Sequence, residues 1–215
     1  MYAYSLALCM RYLVTKIQKD FESMIKQKII NGININRLSE VINVIEKNPD
    51  LARFQFRAKN TWMNGGHSRS IIKGFYGGKR EDVTRNEPYI LENDQPLILL
   101  GSDKGANPLE YILNALAGCI TDSIVYNASM EGIQIDELES ELEGNFDLRN
   151  LFVKHVETNN SEDNIKVKIR ISGNNLLHEQ KKFLCELGKK TSPVYKIITN
   201  AFPVEVLIEN ELYAD

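Results

Sequence analysis

The chain has 215 residues, of which 43% are hydrophobic and 26% charged, and its formal net charge is -3. These values are close to those of ordinary soluble globular domains and far from those of disordered chains. A nucleic-acid-binding protein is expected to carry a basic excess or a basic stripe, because neutralising phosphates supplies most of its affinity. The sequence carries neither, so we expect no nucleic-acid partner.

Three cysteines are spread along the chain without a Cys-x-x-Cys pair, and they are Cys9, Cys119 and Cys185. An odd number of cysteines at such spacing indicates neither a disulfide framework nor a zinc-thiolate site. We therefore expect reduced thiols and a cytoplasmic protein. Metal-ligand spacing is also absent from the three histidines, which are His67, His155 and His178. No metal or other cofactor is expected.

The segment Tyr2–Val14 is moderately apolar, but it is too short to span a bilayer and contains Arg11. It also lacks the basic start of a signal peptide, so we expect no membrane anchor. A lipoprotein cleavage site at Leu6-Ala7-Leu8-Cys9 stays open as an alternative, as does Met24 as the start of the protein.

An N-terminal extension is predicted ahead of the main domain. Apolar residues recur at helical spacing from Ile25 to Glu46 with an interruption at Gly32, and Asn48-Pro49 ends the pattern. We expect one or two helices in an extension over residues 1–50, followed by a main domain over residues 51–215.

Three strands are predicted at the start of the main domain. The run Phe54–Trp62 alternates apolar and polar residues as a half-buried strand does. Asn64-Gly65-Gly66 supplies a hairpin turn to a second strand near Ser68–Phe75. Gly77-Gly78 then turns the chain toward a third strand around Tyr89–Leu100.

A long helix is predicted to begin after Asn107. Asn107 and Glu110 have the spacing of a capping box, and Pro108 suits the first helical position. Gly132 is the expected terminator, which gives a helix of about 24 residues.

Strands and shorter helices are predicted after Gly132. The acidic run from Asp136 to Glu143 and the alternating run Ile165–Ile171 are interpreted as strands, and about Asn175–Leu187 as an amphipathic helix. Ser192-Pro193 is typical of the cap and first residue of a short helix, and Val204–Ile208 is predicted as a final strand. This order predicts an α+β fold without internal repeats.

Cys119 lies within the predicted long helix, seven residues after Ile112 and three after Leu116, so the three side chains share a face. A cysteine on an apolar stripe is most often a small packing residue. Spacing alone therefore does not make Cys119 reactive.

The run from Asn107-Pro108 through a helix rich in small residues to Gly118-Cys119 resembles the hallmark of the OsmC/Ohr family. The resemblance covers about residues 54–208, and the N-terminal extension resembles one divergent branch of the family. Its further motifs are Trp62, Gly65-Gly66-His67-Ser68-Arg69, Asp94-Gln95-Pro96, Leu100-Gly101, Gly132-Ile133, Gly144-Asn145-Phe146-Asp147-Leu148-Arg149 and Ser192-Pro193-Val194.

The resemblance implies an intertwined homodimer in which antiparallel sheets wrap around a long central helix, with reactive sites at the subunit interface. It also implies a stress-response peroxidase that takes a small apolar organic hydroperoxide and a thiol reductant. Cys119 matches the redox-active cysteine that attacks the peroxide. Arg69 is the candidate for the arginine that favours the thiolate, with Arg57, Arg80 and Arg85 as alternatives.

Two positions depart from the family pattern. Ser192 stands where the resolving cysteine is expected, and a hydroxyl cannot form the disulfide; serine there is also a good helix cap. Cys185, seven residues earlier, is a weak candidate to resolve, because it shares its helix face with His178, Lys181 and Lys182 and is expected to point to solvent. The family's arginine-anchoring acid follows the helix-starting proline, where this chain has Leu109. Glu110 projects away from Cys119 and is interpreted as a capping residue.

The leading hypothesis is a cytoplasmic, homodimeric peroxidase that uses Cys119 and an external thiol in a one-cysteine cycle. The alternative is a non-catalytic protein that binds an apolar small molecule at the dimer interface, with Cys119 only as packing. A serine hydrolase acting through Ser192 ranks last, because the sequence reveals no base for it.

Overall fold

A computed structural model of the chain describes residues 28–154 and 163–208. The chain divides into two compact units. Of the described residues, 28–57 and 74–86 belong to the first unit, and 58–73, 87–154 and 163–208 belong to the second. In chain order the strands and helices are β1 (Ile29–Ile30), β2 (Ile33–Asn34), α1 (Ile35–Lys47), β3 (Phe54–Phe56), β4 (Lys59–Asn64), β5 (His67–Ile72), β6 (Phe75–Gly77), β7 (Arg80–Asp82), β8 (Tyr89–Asn93), α2 (Pro108–Met130), β9 (Glu137–Asn145), α3 (Arg149–Phe152), β10 (Asn164–Ser172), α4 (His178–Thr191) and α5 (Pro193–Thr199). The predictions for Cys9, Met24, His155 and the segment Tyr2–Val14 lie outside the described residues.

Among the described residues, the first unit starts with a short hairpin, where a helix was predicted. Strands β1 and β2 pair antiparallel around Asn31 and Gly32, whose φ angles are 50° and 78°. An Asn-Gly pair with both φ positive is typical of a two-residue hairpin turn, and this chemistry overrides the helical spacing upstream of Gly32. The predicted helix is therefore wrong at β1 and β2 and confirmed at α1, where the side chain of Asn34 accepts from the Arg37 N-H at 3.1 Å.

The first unit also contains an antiparallel sheet with the strand order β3-β6-β7. The predicted turn at Gly77-Gly78 is present, but it leads into β7 and not directly to the strand predicted around Tyr89. The predicted strand Phe54–Trp62 is wrong in extent, because the chain leaves this sheet after Phe56 and enters another as β4. Both pieces are exposed along their whole length, so the expected half-buried face is also wrong.

The second unit contains the antiparallel sheet with the strand order β4-β5-β8. The predicted hairpin is confirmed, with Asn64 opposite His67 and a φ of 55° at Gly65. Strand β8 ends at Asn93, earlier than predicted, because the next residues form a loop that includes a 3-10 turn over Leu97–Leu99.

The long helix α2 supplies most of the core. Its predicted start is confirmed: Asn107 accepts from the Leu109 N-H at 2.8 Å, and Glu110 accepts from the Asn107 N-H at 2.7 Å. It spans 23 residues, and the chain leaves it at Gly132 with a φ of 73°. The buried core joins this helix to β10 and α4 and consists of Leu116, Ile120, Ile124, Ala128, Ile171 and Leu184.

Strands β9 and β10 form an antiparallel hairpin that places its apolar residues toward this core. The opposite face carries a row of glutamates on β9 and a row of cations on β10. Register places Glu143 opposite Lys166, Glu141 opposite Lys168 and Glu139 opposite Arg170. The acidic run is thus a solvent-facing strand, as predicted.

Helix α4 runs about three residues later than predicted and packs along α2. The two helices approach closely at Gly188, where a Cβ would lie 2.6 Å from Cγ1 of Ile124. Helix α5 follows from Ser192-Pro193 as predicted. The predicted final strand at Val204–Ile208 is wrong: the segment has no strand partner among the described residues, and its side chains are exposed.

The predicted α+β class, with antiparallel sheets and a long helix, is confirmed. The intertwined dimer and the domain boundary after residue 50 stay predictions. Among the residues described, no helix is both long and apolar enough to cross a membrane.

Candidate active site

The β5-β8 ladder assembles an ion-pair cluster on one sheet face. Register places Arg69 directly opposite Glu92, and Nε of Arg69 donates to Oε1 of Glu92 at 2.7 Å. His67 lies two residues before Arg69, so its side chain points to the same face, and its Nε2 lies 2.8 Å from Oε2 of Glu92. The hydrogen bond from His67 and then that from Arg69 lower the pKa of Glu92 below its usual range.

The backbone of Glu92 is fixed against the segment that leads into α2. The hydroxyl of Tyr111, on the first turn of α2, donates to the Glu92 carbonyl at 2.8 Å. A Cβ at Gly105 would lie 2.0 Å from the same carbonyl oxygen, so only glycine fits at this approach. Asn93 also bridges Ala106 in parallel. The ion-pair cluster is therefore attached to the start of the helix that carries Cys119.

Asp94 holds the loop between β8 and α2 in place. Its side chain is almost fully buried, with 1% of the residue exposed, and it accepts backbone N-H groups of Gln95, Ser102 and Lys104 at 2.8, 3.1 and 3.2 Å. Burial acts to raise the pKa of Asp94, but the three N-H groups outweigh it and the pKa lies below its usual range. A Cβ at Gly101 would overlap the Gln95 backbone at 1.7 Å, so this loop also requires glycine.

Cys119 lies at the edge of the buried stripe of α2. Its neighbours on that stripe, Leu116 and Ile120, are buried, whereas Ile112 and Tyr126, one heptad away on either side, are exposed. The thiol itself is half-buried and free of any disulfide. Cys119 is therefore not sealed within the core cluster.

Ser192 is fully buried and its hydroxyl oxygen accepts the backbone N-H of Tyr195 at 3.1 Å. This is the helix cap that the sequence predicted, at the start of α5. The lone pair that caps the helix is turned toward the backbone, which gives the residue a structural role.

Cys185 lines an open groove of about 650 Å³ between β10 and α4. Burial raises the pKa of this thiol. The negative charge of Glu186 raises the pKa further, whereas the positive charge of Lys189 lowers it. Cys119 is not among the groove's lining residues, which are Ile169, Arg170, Ile171, His178, Lys181, Lys182, Cys185 and Glu186. A resolving role for Cys185 gains no support from this arrangement.

The arginines considered from the sequence have different partners. Arg57 pairs with Glu81 in the first unit at 2.7 Å, and the guanidinium of Arg85 lies 5.3 Å from the centre of the Phe75 ring. Arg69 has Glu92 as its partner within the β4-β5-β8 sheet. Glu92 is the residue that sequence reasoning missed, because only the strand register shows that it faces Arg69.

Within residues 28–154 and 163–208, no group of three or more histidine, cysteine, aspartate or glutamate side chains could hold a metal ion. A second groove, of about 340 Å³ and largely apolar, lies at the start of α2. It is lined by Gln95, Asn107, Pro108, Leu109, Asp147, Leu148 and Leu151.

Residues 101–207 match the model of the family described as OsmC-like protein. Among solved structures, the chain is similar to an organic hydroperoxide resistance protein OsmC from Legionella pneumophila, at 16% identity over 67% of this chain and 88% of that one, with a TM-score of 0.47. The chain is also similar to an OsmC-like protein from Mycoplasma pneumoniae, at 14% identity over 67% of this chain and 87% of that one, with a TM-score of 0.48. A third similar structure is the organic hydroperoxide resistance protein OhrB of Bacillus subtilis. Its identity to this chain is 18% over 66% of this chain and 89% of that one, with a TM-score of 0.41. No curated protein matches the chain.

Proposed function

Because the chain belongs to the OsmC-like protein family, we propose that it is a thiol-dependent peroxidase that reduces organic hydroperoxides through Cys119. The observation that carries the proposal is the position of this thiol. Cys119 is free and half-buried on α2, at the border of the core, inside the stretch that matches the family. A reactive thiol needs such partial access.

The proposed cycle has one protein cysteine. The Cys119 thiolate attacks the outer oxygen of the hydroperoxide, the O-O bond breaks, and the products are a sulfenic acid and the alcohol. An external thiol then condenses with the sulfenic acid to a mixed disulfide and releases water. A second thiol attacks the external sulfur and regenerates Cys119 as a disulfide of the reductant forms. The cytoplasm keeps such thiols reduced, and we place the protein there.

An external thiol is required in this cycle because Ser192 cannot resolve the sulfenic acid. Its hydroxyl is buried and caps α5. Cys185 lies in a groove that does not include Cys119, and burial raises its pKa. Both observations favour the one-cysteine cycle over an internal disulfide.

The proposal includes a homodimer. Leu97, Ile98 and Leu100 form an apolar loop surface, with Ile98 87% exposed. The alternating segment Val204–Ile208 is equally open, with Val206 89% exposed. Apolar surfaces of this extent on one chain support a partner that covers them, and a second copy of the chain is the partner that the family resemblance implies.

The test is peroxide consumption by the purified full chain. We expect cumene hydroperoxide to disappear in the presence of a monothiol or a dithiol, and we expect Cys119→Ser to abolish this activity. Cys185→Ser is the matched control, since it removes the other described thiol, and it should keep the activity. Equal rates for wild type and Cys119→Ser would refute the proposal.

The second candidate is a non-catalytic protein that binds an apolar small molecule. The apolar groove of about 340 Å³ at the start of α2 favours it, since it offers room for a small ligand. The two candidates differ in the chemistry of Cys119. Alkylation of Cys119 at neutral pH no faster than that of an ordinary free thiol, together with no peroxide consumption, would select the binding protein.

A further inference from the structure

A charged cluster of the second unit surrounds Glu92, whose carboxylate has both oxygens engaged. One oxygen accepts from Nε of Arg69 at 2.7 Å and the other lies 2.8 Å from Nε2 of His67. His67 is buried, whereas the Arg69 side chain keeps 44% of its surface exposed. The carboxylate thus holds Nε of the guanidinium, while the side chain of Arg69 stays partly exposed to solvent.

The anchor of this carboxylate is unusually firm for a sheet residue near an edge. The Glu92 carbonyl accepts from Tyr111 on α2 and lies against Gly105, and β8 pairs with β5 throughout its length. The next residue but one, Asp94, is held by three backbone N-H groups. Any displacement of Glu92 would therefore disturb the start of the long helix.

We propose that Glu92 is the positioning residue that holds Arg69 for the peroxidase reaction, in place of an acid after the helix-starting proline. That position is Leu109 in this chain and has no charge to offer. Glu92 reaches Arg69 from the neighbouring strand, and its backbone is attached to the same helix start. This inference rests on the proposed function, since Arg69 needs a fixed position only if its charge serves the reaction at Cys119.

A positioning residue acts through the group that it holds. Removing the charge of Glu92 leaves Arg69 present but free to adopt several rotamers, so the guanidinium charge is spread over more space. The effect should appear in the chemical step and in the thiolate at Cys119, not in the fold. A purely structural ion pair would instead change stability and leave both unchanged.

The experiment compares Glu92→Gln with Glu81→Gln in the full chain. Glu81→Gln is the matched control, because Glu81 forms a similar exposed pair with Arg57 at 2.7 Å in the other unit. We expect Glu92→Gln to lower kcat/KM for cumene hydroperoxide by about tenfold. The expected loss is smaller than the roughly hundredfold effect of a displaced catalytic group, because Arg69 itself is retained. Glu81→Gln should stay within about twofold of wild type.

A double-mutant cycle tests whether the effect passes through Arg69. In an Arg69→Met background, Glu92→Gln should cause no further loss of kcat/KM and no further change in the pH dependence of Cys119 alkylation. The same loss in both backgrounds would overturn the assignment, and so would a Glu92→Gln variant as active as Glu81→Gln.

A readout without peroxide separates this inference from the proposed function. The Nε-H signal of Arg69 in NMR, assigned by its absence in Arg69→Lys, should be protected from solvent exchange in wild type and lose that protection in Glu92→Gln. An inactive wild-type protein would refute the peroxidase. An unprotected Nε-H in wild type would refute the positioning role of Glu92 whatever the activity.

Discussion

Replacing Ser192 by alanine tests whether this residue caps a helix or takes part in chemistry. The hydroxyl oxygen accepts the Tyr195 N-H at 3.1 Å, and the residue is fully buried. Loss of a serine cap costs about 1 kcal/mol, and the buried N-H left without its partner adds to this, so we expect a loss of about 2 kcal/mol. In a chain of this length the corresponding fall in Tm is about 4 to 8 °C.

The assay is urea unfolding of wild type and Ser192→Ala at one fixed protein concentration, because association would make stability depend on concentration. Asn34→Ala is the matched control: Asn34 also caps a helix, at 3.1 Å, but it is only half-buried. We expect the smaller loss there, about 0.5 to 1 kcal/mol. Unchanged stability in Ser192→Ala would refute the capping argument, and loss of peroxide consumption by a fully stable Ser192→Ala would assign Ser192 to the chemistry.

Three further predictions concern other parts of the second unit. The stability difference between wild type and Asp94→Asn should be largest near neutral pH and should become smaller as the pH falls. The pKa of Asp94 is lower in the folded protein than the unfolded value of about 3.9, so its carboxylate stabilises the fold above that pH and loses the effect as it is protonated. Urea midpoints of the two proteins that differ by the same amount at pH 7 and at pH 3 would contradict this. Cys185 should react with iodoacetamide more slowly at pH 7.5 than a free cysteine peptide, because burial raises its pKa; peptide mass spectrometry measures the ratio, and an equal rate would show that the thiol is not shielded. Light scattering should give twice the chain mass of 24.6 kDa, and a monomer at micromolar concentration would refute the dimer.

The elements with strong local chemistry were predictable from the sequence. Asn107, Pro108 and Glu110 form a capping box, and the helix begins where that box places it. Ser192-Pro193 predicted a cap and the first residue of a helix, and both are present. Capping depends on a few adjacent residues, so one sequence is enough to find it. The hairpin turn at Asn31-Gly32 is equally local, but it was missed because the helical spacing around it was followed.

The failures come from interactions that local patterns do not contain. The run Phe54–Trp62 alternates like one strand, but the chain crosses from one sheet to another within it. Val204–Ile208 has the alternating pattern of a strand but lacks a strand partner among the described residues. Its apolar residues therefore form an exposed surface, and the pattern does not show that the segment is paired. Both cases show that alternation identifies a face, whereas pairing depends on the rest of the molecule.

The candidate site was predictable in its residue types and not in its geometry. Arg69 was identified from its motif, but its partner Glu92 lies 23 residues away and meets it only through the β5-β8 register. Glu110 was correctly interpreted as a cap, because its position is set by helical geometry. The reactivity of Cys119 stays a prediction that thiol chemistry will decide.

The charged face of the β9-β10 hairpin limits how two copies of the chain can join. If the β9 strands of two copies paired antiparallel, glutamates of one copy would lie opposite glutamates of the other along the whole row. If two β10 strands paired in this way, lysines and arginines of one copy would lie opposite lysines and arginines of the other. Like charges thus discourage each strand from pairing with its own copy. A strand added beside β10 avoids this repulsion if it carries no row of cations, and Val204–Ile208, with the single carboxylate of Glu205, meets that condition.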